Sequence, residues 1–167
     1  PNDPVAFTAA FGIFGADMAY VPANPHNPPA AIASALNLVD VRVLFYHSAM
    51  AEVVDEIRAA LPKVALFVAL DSPSGGDPTL DQFIAGHDAS PPQARAMLAD
   101  TAFVGQTGGT TGEPKGVLLS HRAVFAFVEI FLTEMSCPAP VLLAATPLTH
   151  AAGMLAMPIV AQGGTIV

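Results

Sequence analysis

The sequence predicts an α/β fold, a layered, largely parallel sheet flanked by helices. Short apolar runs at 41–46, 64–70, 101–105 and 141–144 carry little more than an occasional polar residue such as Arg42. Runs of this kind read as strands covered on both faces. They alternate with stretches of about ten residues that carry helix-start signals or helical spacing, the pattern of α/β layering.

In chain order, residues 4–16 read as an apolar helix, with Gly12 and Gly15 expected to admit close packing. Residues 19–21 read as a short strand, closed by Pro22-Ala23-Asn24-Pro25, which can continue neither helix nor strand. Residues 28–38 form a predicted helix with proline in its first turn. After the strand at 41–46, Ser48 is the expected N-cap of an amphipathic helix. Met50, Val53, Val54, Ile57 and Leu61 make its apolar stripe, and Glu52, Asp55, Glu56 and Arg58 its polar side.

The strand at 64–70 is followed by a turn-rich loop over 71–78. Two short helices are then expected, each from a capping box: Thr79 with Gln82, and Ser90 with Gln93. A strand at 101–105 leads through a Gly/Thr loop to a strand at 117–119. Ser120 caps a helix over 121–135 whose apolar residues lie nearly all round, so burial on most sides is expected. A strand at 141–144, a helix at 153–161 and a strand at 165–167 complete the chain.

The 167 residues suit one domain. Charged residues make up 12% against about 25% in a typical globular domain, and 53% are apolar. A chain this apolar either packs its faces against further sequence or enters a membrane. The uncharged stretch 139–161 contains Pro140, Pro147 and Pro158 and a polar centre at Thr146, Thr149 and His150, which argues against a spanning helix. A non-Met start and an apolar end suggest a piece of a larger domain. Six basic residues without a cluster, in a chain of net charge −8, argue against nucleic acid or an anionic membrane surface. The single cysteine, Cys137, cannot form an internal disulfide, which fits a reducing, cytoplasmic setting, and it reads as a buried bystander.

The most informative segment is Thr107-Gly108-Gly109-Thr110-Thr111-Gly112-Glu113-Pro114-Lys115-Gly116. Its glycines let the backbone approach a ligand, and successive N–H groups can form an anion-binding nest. Thr107, Thr110 and Thr111 supply hydroxyls and Lys115 a mobile charge, the set a polyphosphate needs. A flexible surface loop would not require threonines and a lysine interleaved with the glycines. A Walker A loop fails on spacing, because Pro114 precedes the lysine, Gly116 follows it and a strand comes next. The dinucleotide fingerprint G-x-G-x-x-G is absent.

This segment resembles the signature phosphate loop of the adenylate-forming, AMP-binding enzymes, usually T-S-G-[ST]-T-G-x-P-K-G, with Gly108 where serine is usual. Val117-Leu118-Leu119-Ser120-His121 is similar to the stretch after that loop in the same family. Pro1-Asn2-Asp3-Pro4 to Phe11-Gly12 resembles the family's early N-x-P-E-F helix, and Gly15 to Pro25, ending Tyr20-Val21-Pro22-Ala23-Asn24-Pro25, resembles G-A-x-Y-V-P-x-N-P. The resemblance spans nearly the whole chain. It implies residues 1–167 as part of the large N-terminal domain, with the C-terminal domain absent.

The resemblance also implies an activity: a carboxylic acid and ATP with Mg2+ give an acyl-adenylate and pyrophosphate, and coenzyme A then displaces AMP. Thr107, Gly108, Gly109, Thr110, Thr111, Gly112 and Lys115 would hold the β- and γ-phosphates. Pro147-Leu148-Thr149-His150-Ala151-Ala152-Gly153 resembles the P-L-x-H-x-x-G segment of acyl- and aryl-CoA synthetases, which implies His150 beside the reacting carboxylate, with Gly153 letting the helix start lie close to it. Peptide-synthetase domains carry an acidic residue here for the substrate amine; none occurs over 147–157, so an uncharged-tail acid is favoured. His26, His47, His87 and His121 read as surface or cap positions. The family's Mg2+-binding acid, ribose-binding aspartate and catalytic lysine have no counterpart up to residue 167, so the chain alone is expected not to form adenylate at a measurable rate. A peptide-synthetase or luciferase-like branch, or a non-catalytic remnant, is the alternative.

Overall fold

A computed structural model describes residues 2–107, 115–149 and 151–167. The first helix, α1 (Pro4–Gly15), starts where Asp3 accepts hydrogen bonds from the amides of Val5 and Ala6, with Pro4 at its first position. Phe7, Phe11 and Phe14 recur along one side of α1. Their rings form an edge-to-face series that continues through Tyr20 to Phe103, with centroids 5.2 to 6.4 Å apart. Contrary to the expectation of close packing, no atom of the described residues beyond Gly12's own helix backbone lies within 4 Å of where a Cβ on Gly12 would sit.

The core is built by α2 (Pro29–Leu38), β1 (Val43–Tyr46), a 3-10 turn (Ser48–Met50), α3 (Ala51–Arg58) and β2 (Leu66–Ala69). β1 and β2 pair in parallel, Val43 opposite Leu66 through Tyr46 opposite Ala69. Ile32 and Leu36 of α2, Val54 and Ile57 of α3, and Phe67 of β2 close on one another in a single buried cluster. Each such side chain contributes about 1.5–3 kcal/mol on leaving water. The α3 stripe lies as its spacing predicts, but His47, not Ser48, caps the turn, its Nδ1 accepting from the Ala49 amide. Ser48 instead gives its amide and hydroxyl to Asp71.

The loop after β2 is locked by Asp77. Arg58 donates to both of its carboxylate oxygens, at 3.2 and 2.6 Å, and the Tyr46 hydroxyl donates to Oδ2 at 2.7 Å. The Arg58 guanidinium also lies 4.0 Å from the centre of the Phe67 ring. α4 (Leu80–Ile84) opens with the expected Thr79–Gln82 capping box. The second short helix does not form, and 88–96 has no regular structure. Asp88 accepts from the Ser90 amide, which Gln93 would need to close the capping box, and from the Ser90 hydroxyl, and Pro92 disfavours a helical Pro91. Asp17, at φ 58°, instead holds this segment by accepting from the amides of Arg95 and Ala96.

β3 (Thr101–Thr107) and β4 (Lys115–Ser120) form an antiparallel pair, and the Tyr20 segment bridges β3 in parallel at Phe103. The α/β class holds with the pairs β1–β2 and β5 (Val141–Leu142)–β6 (Thr165–Ile166) parallel and this one reversed. Ser120 caps α5 (His121–Glu134), its hydroxyl accepting from the Ala123 amide. The expected burial of α5 on most sides is corrected, since none of its residues is buried and Phe125 and Ile130 are 57% and 65% exposed. It packs on β3, β4 and α6 (Ala151–Ala161), and no described element covers its other face. Cys137 is exposed rather than buried, in the connection between α5 and β5. No helix among the described residues is long and apolar enough to cross a membrane.

Candidate functional site

Two segments singled out by the sequence are placed by different means. The first is framed by β3 and β4. Alternate residues of β3, Ala102 and Val104, are buried, which fixes the strand's face and register. The register then sets Gln106 opposite Gly116 and Thr107 opposite Lys115, the last described residues on either side of 108–114. Gly116 lies close against the core side: a Cβ there would meet Val104 Cγ1 at 3.3 Å. Of the expected phosphate-binding residues, the backbone of Thr107 and the exposed Lys115 are described. Gly108, Gly109, Thr110, Thr111 and Gly112 lie outside the described residues. Beside the hairpin, Gln106 Nε2 and His121 Nε2 are buried without a partner among the described residues.

The second segment is 144–153, between β5 and α6. Asn2 reaches it from the other end of the chain. Its Nδ2 donates to the carbonyls of Ala144 (3.1 Å) and Thr146 (3.2 Å), and its Oδ1 accepts from the Leu148 amide at 2.9 Å. The Leu148 carbonyl is seated against Gly153, where a Cβ would overlap its oxygen. Gly153 is therefore required by the chain's own backbone, a reason the sequence did not reveal. His150 lies outside the described residues, between the described Thr149 and Ala151.

Asn2, Phe7, Tyr20, His26 and Thr149 are among the residues lining an open cleft of about 270 Å³ between α1 and this segment. The Thr149 hydroxyl is buried and lacks a partner among the described residues. Asp3 also lines the cleft, but its carboxylate is engaged by the first turn of α1 and lies 3.7 Å from His47. His47 in turn lies 3.5 Å from Asp71, just beyond the carboxyl end of β2. Hydrogen bonds from the Ser48 hydroxyl and amide, aided by His47, hold the Asp71 carboxyl down at about 2. Among the described residues no three His, Cys, Asp or Glu side chains are grouped to hold a metal ion.

Sequence reasoning placed Asn2 only in the early N-x-P resemblance, with no role, and gave His47 only a surface or cap role. Because Gly153 faces backbone rather than a flexible side chain, Gly153→Ala is expected to cost about 1–3 kcal/mol and to displace the turn at 148–149. Thermal melting with amide exchange at Leu148 measures both, and unchanged values would remove the steric role.

Comparison with known proteins bears on what the two segments share. The AMP-binding enzyme family matches residues 1–167. A long-chain-fatty-acid–CoA ligase of Thermus thermophilus is 33% identical over 116 residues, covering 70% of this chain and 21% of that protein. The nonribosomal peptide synthetase agiA of Aspergillus flavus is 33% identical over 132 residues, covering 75% of this chain and 2% of that one. Among solved structures, the amide bond synthetase McbA of Marinactinospora thermotolerans superposes with a TM-score of 0.82 at 26% identity, over 97% of this chain and 32% of its own. The chain thus spans about a fifth or less of these curated relatives. With the family matched from end to end and the α/β fold superposing on a solved amide bond synthetase, the chain belongs to the AMP-binding enzyme family.

Proposed function

We propose that this chain is part of the large N-terminal domain of an acyl-CoA synthetase and contributes its grip on the ATP phosphates. The observation that carries the reading is the β3–β4 register, which puts Thr107 and Lys115 opposite each other at the mouth of the Gly/Thr segment. Lys115, with the amides and hydroxyls of 107–112, holds the β- and γ-phosphates of MgATP. A carboxylate oxygen attacks the α-phosphorus, the bond to the β-phosphate's bridging oxygen breaks, and pyrophosphate leaves with its charge neutralised by these groups. The thiol of coenzyme A then attacks the acyl carbon and AMP departs. His150 donates a hydrogen bond to the reacting carboxylate. A cytoplasmic setting belongs to the reading, since the one cysteine, Cys137, is a free thiol.

An acid with an uncharged tail is favoured because no acidic residue occurs over 147–157, and the nearby Asp3 is occupied by helix capping. A peptide-synthetase adenylation domain is the second reading, favoured by the synthetase relative at equal identity. The enzyme that carries this chain is tested by acid-dependent exchange of labelled pyrophosphate into ATP, across aliphatic, aromatic and amino acids, followed by thioester formation on adding coenzyme A. Exchange with aliphatic or aromatic acids, and a thioester, is expected. Exchange with amino acids alone would favour the second reading, and no exchange with any acid would leave a non-catalytic remnant.

A further inference from the structure

We propose that Asn2 is a positioning residue for the turn at 146–149, fixing where the following His150 meets the reacting carboxylate. The inference rests on the role given to His150 above. Asn2 uses all three of its bonds on one segment: two donated to the Ala144 and Thr146 carbonyls and one accepted from the Leu148 amide. A side-chain amide is the group that can do this, since it presents donors and an acceptor in one plane.

The anchor is itself fixed. The adjacent Asp3 caps α1, and Pro4 occupies the helix's first position, so the backbone at Asn2 is tied to a helix whose aromatic rings run on to β3. Leu148 is held from both sides, its amide by Asn2 and its carbonyl against Gly153. Leu148 and Gly153 are therefore held against each other as the two ends of a fixed span. Loss of the Asn2 clamp releases one end of that span while leaving the β3–β4 hairpin, on which the phosphates depend, untouched. A misplacement of about 1 Å at a reacting group costs up to about 100-fold in rate.

The test is a double-mutant cycle on acid-dependent pyrophosphate exchange in the enzyme that carries the chain. Asn2→Ala is expected to lower kcat/KM for the acid about tenfold with KM for ATP unchanged. His150→Ala is expected to lower it about 100-fold. The double variant is expected to be no worse than His150→Ala alone, because Asn2 acts through the same group. Additive losses, or a KM for ATP that rises in parallel, would overturn the positioning role. If His150→Ala matches the wild type, the assignment of His150 falls and the role of Asn2 falls with it, a result separate from additivity. Should Asn2→Ala fail to fold, Asn2→Ser carries the same cycle. The Leu148 amide gives an independent reading: its exchange must quicken when Asn2 is replaced, while that of the β3–β4 amides stays as it was.

Discussion

Lys115→Ala is expected to slow adenylate formation by about two orders of magnitude in the enzyme that carries this chain, with little loss of stability. Removing one preorganised donor from a developing negative charge costs about 100- to 1000-fold. The departing pyrophosphate is such a charge. Lys115 begins β4 opposite Thr107, where the antiparallel register fixes the backbone of both. The side chain is exposed, so truncating it opens no cavity in the core, one of the main sources of large stability losses. Forward adenylation and its reversal by pyrophosphate pass through one transition state, so both slow together. Lys115→Arg keeps the charge but presents a planar fork in place of a compact ammonium, and restores part of the rate. Single-turnover adenylation alongside thermal melting measures both halves of the expectation. Wild-type kinetics in Lys115→Ala would remove the phosphate role; a large fall in melting temperature would make the residue structural.

The sequence signals that proved readable are local. The α3 stripe, the Thr79–Gln82 box and the Ser120 cap follow from patterns within a dozen or so residues, and the parallel β1–β2 and β5–β6 pairs from one strand–helix–strand unit each. The Gly/Thr run was read in the same local way, from threonines, glycines and a lysine in one segment, but residues 108–112 lie outside the described residues. What the sequence hid depends on distant partners. Nothing near Thr107 reveals that β4 returns antiparallel to β3. The Phe7-to-Phe103 ring series and the clamp by Asn2 join residues about a hundred or more positions apart. The apolar character of α5 showed what that helix is able to bury, and the structure shows that the described elements cover little of it. At Ser90 the capping pattern was present, but a competing acceptor two residues earlier took the backbone amide that the capping box needed.

Asp77→Ala carries the largest expected effect on stability, about 3 kcal/mol. Asp77 is 13% exposed and satisfies three donors: two from the Arg58 fork and one from the Tyr46 hydroxyl. Its loss leaves the Arg58 charge partly buried over the Phe67 ring with Asp55, 3.6 Å away and largely solvated, as the remaining carboxylate. It also leaves the Tyr46 hydroxyl with only the Ser74 carbonyl, at 3.2 Å. The loop that joins β2 to α4 loses its anchor to the core, and for a chain of this size the melting temperature should fall roughly 6–12 °C. The same group sets a pH dependence. The Arg58 guanidinium holds the Asp77 carboxyl below its ordinary value, against the opposing effect of burial. A carboxyl depressed in the folded state stabilises the fold above its unfolded pKa and loses that contribution as pH falls through the folded value. Asp77→Asn keeps the shape and an acceptor for Tyr46 but has no charge to lose, so its stability should change less than that of the wild type over the same acid range. Urea unfolding between pH 6 and pH 2 decides the matter. Parallel acid limbs for wild type and Asp77→Asn would mean that the Arg58–Asp77 pair contributes nothing to holding this loop.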